Sequence, residues 1–518
     1  MKRISVTAVC VLTALTLAAC SPGGGGGAPA PDKEDDGAEI IETVVENMTL
    51  LAQVPRPSHH EEKISEYLYN WAVDQGFEPI RDGVNNIMFD VPATEGFEDY
   101  PLCILQGHMD MVVAVEEGKD FDPLTDPITI IWDKEANTLT ADGTSLGGDD
   151  GAGLAIIMAI SQGKMNHGPL RVIITTDEED GMEGAFNLDA SWMTGAVYLI
   201  NIDNEASDEV VVSTAAGDSV RISGEPERLD PSGSTAVSVT LGGLVGGHSG
   251  FEIDKGRLNG IIGLAGFLKE LEKNGLKYEL SSFNGGTAYN AIPTKAECVI
   301  VIDGRDLAEI QSAAEEYFGN LKQEYAGIED GMSYEILEKA EALPRVVSAE
   351  DKDNALRFIT EIINGVNTWS ADIEGLVESS SNLGLFNLSE EGISGGTYIR
   401  SSVGELESEI LDSQLELAKS CGYDTDTVKM ADPWPYDPDS RLLALTKEIY
   451  KDQNGEDIRV SAVHVGLECG TFKLLSPELD MISIGPDLTD AHTVRETLYL
   501  DSIPKIWDMI EEILVRIG

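Results

Sequence analysis

Short runs of consecutive apolar residues alternate along this chain with longer stretches of helical spacing. Four of the runs read as strands, at 102–107 (LCILQG), 170–176 (LRVIITT), 197–202 (VYLINI) and 481–486 (MISIGP). Unbroken apolar runs mark strands buried on both faces, and their alternation with helices predicts a mostly parallel sheet flanked by helices. Helical spacing covers 40–71, with a break at Pro55-Arg56-Pro57-Ser58-His59-His60. A glycine-flanked turn, Gly147-Gly148-Asp149-Asp150-Gly151, enters an apolar helix at 154–160, and one of its aspartates is expected to cap that helix.

The texture changes between residues 214 and 431. Strands at 237–241 and 297–302 mix there with amphipathic helices at 261–271, 307–321 and 403–419. This pattern predicts an inserted α+β domain, closed by a stiff return connector at Asp432-Pro433-Trp434-Pro435. The expected organisation is therefore a signal at 1–20, a linker at 21–37, a catalytic α/β domain split into 38–213 and 432–518, and an inserted lid at 214–431.

What each strand leads into carries the chemistry. The first runs into His108-Met109-Asp110, the second into Asp177-Glu178-Glu179, the third ends at Asp203, and the fourth leads to Asp490-Ala491-His492. Sites in such sheets form at the carboxyl ends of strands. Nitrogen and oxygen donors together suit Zn²⁺, with Co²⁺ or Mn²⁺ able to replace it, whereas Mg²⁺ and Ca²⁺ prefer oxygen alone. Two histidines with three carboxylates exceed one tetrahedral shell and suit two ions that share a carboxylate. Asp110 is then placed to hold the ring of His108, and Glu178 to move a proton.

The N-terminus adds an address. Met1-Lys2-Arg3 precedes an apolar run at 4–19 and then Cys20, followed by five glycines at 23–27 and alternating prolines. A basic start and a short apolar run form an export signal, and Leu17-Ala18-Ala19-Cys20 resembles the lipobox of bacterial lipoproteins. That resemblance implies a lipidated Cys20, a membrane partner and a location on the outer side of the cell membrane. The other exported-sequence cysteines, Cys103, Cys298, Cys421 and Cys469, are widely spaced without a C-x-x-C pair, and Cys103 is expected to be a buried thiol. Composition excludes one partner class. With 92 acidic against 35 basic residues the net charge is −57, so nucleic acid would be repelled.

Taken together, GHMDMV, GGDDGAG, TTDEEDGMEGA, LINIDNE, GGHSG, ISGGTYIR and GPDLTDAHT resemble the M20 family of di-zinc metallopeptidases, in its aminoacyl-histidine dipeptidase branch. The resemblance implies a phosphorylase/hydrolase-like α/β catalytic domain and two zinc ions. His108 and Asp203 would bind one ion, Glu179 and His492 the other, and Asp149 both. It implies Glu178 as general base, Asp110 as the support of His108, and His248 of the lid as the donor to the oxyanion. Arg400 would hold the substrate carboxylate, with Asn259, Gly466 and Gly470 in the substrate pocket. His464 stays open between a supporting and a substrate contact, while His59, His60 and His167 are expected to be solvated.

The chain departs from that family where Asp150 replaces the usual Asn, Asp180 an apolar residue, and Thr493-Val494 the usual Ser-Pro. The extra acids are expected to add negative potential near the metals. Hydrolysis of dipeptides is the leading function, deacylation of N-acyl amino acids the alternative, and a surface solute-binding lipoprotein the reading outside enzymes. Monomer and homodimer both remain open. The inserted lid is about twice as long as that of dimeric relatives, which predicts that His248 serves its own chain by hinge closure.

Overall fold

The structure is a computed structural model that describes residues 33–339, 342–373 and 375–518; the signal, Cys20 and most of the expected linker lie outside these residues. The first helix, Lys33–Leu51, begins inside the stretch expected to be linker. A second, Glu62–Asp74, follows the Pro55–Ser58 break, since a residue before proline is held away from helical angles.

The first sheet has eight strands in the order Ile80–Arg81, Ile87–Val91, Leu170–Thr175, Leu102–His108, Ala196–Asn201, Asp480–Ser483, Glu209–Thr214, Arg459–Val463. Its middle is parallel: Leu102–His108 pairs in parallel with both Leu170–Thr175 and Ala196–Asn201, which also runs parallel to Asp480–Ser483. All these strands therefore deliver their carboxyl ends to one edge. The helix Gly148–Ser161 packs on the sheet with nearly every residue buried, because Leu154–Ile160 is apolar on all sides. Ile503–Arg516 and Arg441–Asn454 cover the same core.

The inserted part forms a second, antiparallel sheet. Its strands run in the order Ser333–Lys339, Thr235–Gly242, Ala296–Ile302, Glu279–Gly286, Val377–Ser389, Gly392–Ser401, Ala216–Gly224, Asp424–Ala431. The helices Gly260–Lys273, Leu307–Glu324 and Gly404–Ser420 lie where the amphipathic spacing places them. A separate apolar core, with Phe267, Phe283, Phe318, Phe358 and Phe386, fills this part. Exit and return strands are stitched together: Thr214 and Trp434 exchange both backbone hydrogen bonds at 3.0 Å. The four cysteines of the described residues are buried thiols.

Candidate metal centre

Asp149 occupies the centre of the site, and its placement starts from an acid far along the chain. The Glu496 carboxylate accepts the backbone N–H groups of Leu146 (2.8 Å), Gly147 (2.9 Å), Gly148 (2.6 Å) and Asp149 (3.3 Å). Gly147 has φ 67°, and a Cβ there would meet Arg56 Nη2 and Met111 Sδ at 2.6 Å, so only glycine fits the turn. Arg56, 3% exposed, donates to the carbonyls of Met109, Asp110 and Gly147, tying this turn to the end of the Leu102–His108 strand.

The helix cap is Asp150, not Asp149. One Asp150 oxygen accepts the N–H of Gly153 at 3.1 Å and the other that of His108 at 3.1 Å. Asp149 is left to face the histidines: Oδ1 lies 3.0 Å from His108 Nε2, and Oδ2 lies 3.1 Å from His492 Nε2. His108 Nε2 is also 3.4 Å from Asp203 Oδ1, and His492 Nε2 is 2.9 Å from Glu179 Oε2. Two donor triads result, His108/Asp149/Asp203 and Asp149/Glu179/His492, each with ligand atoms within 4.8 Å of one another.

Asp110 sits behind His108, with Oδ1 3.2 Å from Nδ1, inside ion-pair range but off the line of a straight hydrogen bond. It accepts Ser58 Oγ–H at 2.9 Å and the N–H groups of Glu178 (3.0 Å) and Glu179 (3.3 Å). One carboxylate thus orders a ring and the loop carrying the expected base. Below them Glu468 accepts Thr175 Oγ–H at 2.7 Å and Gln106 Nε2–H at 2.6 Å.

The electrostatics of this cluster call for cations. Burial and then the neighbouring acids push Asp203 up to about 6 and Glu178 well above the carboxylate range. Burial depresses His108, but Asp203, Asp110 and Asp149 outweigh it and raise the ring well above its usual value. Asp149 and Glu179 hold His492 up at about 11. Glu179 Oε1 is buried without a partner. Two imidazoles and three carboxylates converging on two points fit two divalent cations.

In the lid, His248 lies in a two-residue strand paired with Ala291–Ile292. Its Nδ1 accepts the N–H of Gly250 at 3.2 Å, which leaves Nε2 as the donating nitrogen. Its ring packs against Phe251 at 5.0 Å, and burial with the charge of Arg400 holds its pKa down. Arg400 is 4% exposed, stacks 4.3 Å from the centroid of the Tyr398 ring, and has a buried Nε without a partner. Among the described residues no carboxylate forms an ion pair with this buried guanidinium, in a chain of charge −57, and its planar fork has the chemistry to meet an anion.

Several expectations need correction. Asn259 is a helix cap: its Oδ1 accepts the N–H groups of Ile261 and Ile262, and its Nδ2 donates to Leu383 O and Asn364 Oδ1. Its amide is consumed inside the lid. Gly466 and Gly470, expected in the substrate pocket, also have a packing reason: a Cβ would strike Ala431 Cβ at 2.5 Å or Asp432 O at 2.0 Å, both at the return connector. Asp150 is turned away from the metal donors, with both oxygens taken by backbone N–H groups, and burial, then Asp203, raise it well above the usual carboxylate value. Asp180 turns away to His59 Nε2 at 2.9 Å, while His59 Nδ1 lies 2.8 Å from Asp177 Oδ2. His167 is buried, with Nδ1 donating to Gly168 O at 2.7 Å. Arg56 lies in the Pro55–Ser58 break and Glu496 near the C-terminus, and neither carries a local signal for its part in the site.

The fold and site define a class: a two-part α/β hydrolase with a paired-cation centre under a separate lid. The model of peptidase family M20/M25/M40 matches residues 104–516, and the chain belongs to this family. It is 33% identical over 473 residues to the cytosol non-specific dipeptidase of Escherichia coli, covering 90% of this chain and 96% of that protein. It is similar to the crystal structure of aminoacylhistidine dipeptidase from Vibrio alginolyticus, with 32% identity, TM-score 0.86, and coverage of 92% of this chain and 96% of the other. A Staphylococcus aureus tripeptidase shares the fold at TM-score 0.52 and 13% identity, over 92% of this chain and 98% of that one. The solute-binding reading falls with the family assignment. The expected lipid-anchored, extracytoplasmic location is also corrected, since the Escherichia coli relative is named for the cytosol. No helix of the described residues is long and apolar enough to cross a membrane.

Proposed function

We propose that this chain hydrolyses dipeptides, Xaa-His or broader, at a centre of two zinc ions. His108 and Asp203 hold one ion, Glu179 and His492 the other, and Asp149 both; cobalt or manganese would satisfy the same donors. Bound there, the ions supply Lewis acidity to the scissile carbonyl and acidify water. The observation that carries the reading is the one carboxylate of Asp149 facing both histidines.

The chain's own residues perform the remaining work. Glu178, at the end of the strand that leads to Glu179, takes the proton of the attacking water and returns it to the departing amine. Asp110 keeps the ring of His108 in register. His248 donates from Nε2 to the carbonyl oxygen as it becomes negative. Arg400 receives the terminal carboxylate, which would limit the substrate to a short peptide. The loop after His248 packs against His464 and Val465 of the same chain's catalytic part, which supports a lid that serves its own centre.

Metal analysis with a dipeptide panel tests this reading. Two zinc ions per chain and hydrolysis that disappears in Glu178→Ala are expected; a doubly loaded but inert wild type would overturn it. Mixing Glu178→Ala with His248→Ala chains tests the lid: no recovery is expected, and recovered activity would show that the histidine acts on a partner.

A further inference from the structure

The segment between the strand Arg459–Val463 and the helix Glu468–Leu475 touches both halves of the molecule. At one end Glu468 receives hydrogen bonds from Gln106 and Thr175, on the strands that carry His108 and lead to Glu178. At the other end the carbonyls of Val463 and Val465 accept the N–H of Ala215, on the connector into the lid, at 3.2 and 3.1 Å. The loop after His248 rests on the same place, because a Cβ on Gly250 would lie 2.6 Å from Val465 Cγ1 and 3.0 Å from His464 O.

His464 makes the central contact. It is buried, and its Nε2 lies 2.7 Å from Oγ of Ser380, on the lid strand Val377–Ser389. Ser380 is the direct cross-strand partner of Arg400 on the strand Gly392–Ser401. Opposed residues of an antiparallel pair project to the same face, so Ser380, Arg400 and the imidazole share one side of the sheet. Val377 of the same lid strand offers a backbone partner to the ring. A neutral imidazole accepts at one nitrogen and donates at the other, so Nε2 can take either role toward the Ser380 hydroxyl.

We propose that His464 is a positioning residue: by fixing Ser380 it sets where Arg400 stands relative to the metal ligands, and so governs affinity for the carboxylate end of the substrate. The proposal rests on Arg400 receiving that carboxylate. Burial and the charge of Arg400, opposed by Asp254, hold the ring down at about 3, so it stays neutral at working pH. A cation at this position would repel the guanidinium it orders.

The experiment compares the KM of a dipeptide with the Ki of the corresponding dipeptide amide, which lacks the negative terminus. In the zinc-loaded enzyme, His464→Ala should raise KM about tenfold, the scale of one lost hydrogen bond, with kcat changed by less than about twofold. The Ki of the amide should stay put. His464→Gln, whose amide reaches the position of Nε2, should restore most of the loss. Ser380→Ala removes the same bond from its other end and should reproduce the split, even where His464→Ala fails to fold. Unchanged KM in either alanine variant, or an equal loss for dipeptide and amide, overturns the proposal. Arg400→Ala supplies the separate control. If it also leaves the preference for dipeptide over amide intact, the Arg400 reading fails; if it abolishes that preference while His464→Ala and Ser380→Ala do nothing, only the positioning role fails.

Discussion

Glu496 accepts the backbone N–H of Gly148 at 2.6 Å across 348 residues of sequence. That contact, with three more N–H groups on the same carboxylate, shapes the turn from which Asp149 faces both histidines. Glu496→Ala is expected to cost on the order of 3 kcal/mol, because buried donors are left without acceptors. Chemical denaturation measures the loss, and metal analysis of the same variant should show weaker loading. Glu496→Gln retains one acceptor oxygen and should fall between.

Removing the base should separate chemistry from structure. Glu178→Ala is expected to lower kcat by about 10²–10⁴-fold, the range of general-base catalysis. Its metal content and Tm should match the wild type, since Asp110 holds this loop through backbone N–H groups.

The two donor triads should fail separately. A chelator should abolish hydrolysis, and zinc should restore it. His492→Ala removes a donor shared with Glu179 and Asp149 alone, so plasma emission should read about one ion per chain. His108→Ala leaves Asp203 and Asp110 buried without the ring between them and should lower Tm as well.

A buried acid in the lid should make stability depend on pH. Burial, then the neighbouring Asp218, raises Glu407 to about 8, with Lys429 opposing and Asp432 adding to the rise. The folded protein holds this proton more tightly than the unfolded chain, whose glutamates titrate near 4.5. Stability is therefore whole below about 4.5, declines as the pH climbs, and levels off above about 8. Glu407→Gln should flatten that decline, so its Tm should exceed the wild-type value at pH 8.5 and approach it at pH 5. A Tm difference independent of pH would contradict the assignment.

The lid was legible as elements and less so as a surface. Helical spacing gave Gly260–Lys273 and Gly404–Ser420 to within a residue or two, because each helix must bury one stripe. Asn259 looked like a pocket residue by its motif, yet side-chain chemistry is shared between caps and ligands, and only its distances to Ile261 and Ile262 tell which it is. The glycines at 466 and 470 show the same ambiguity: glycine marks a close approach without naming what approaches.

The sequence by itself determined the donor types, their places near the ends of apolar strands, and the two-part build, because residue chemistry and hydrophobic periodicity are local properties. It could not determine that Asp150 caps the helix while Asp149 faces the histidines, nor that Asp180 turns to His59. Nor could it single out Glu496, Arg56 or the His464–Ser380 contact, which join residues 348, 91 and 84 positions apart. Those pairings have no local signature. They exist because buried amides, guanidinium groups and imidazoles must find partners wherever packing brings the chain together, and only the tertiary structure decides where that is.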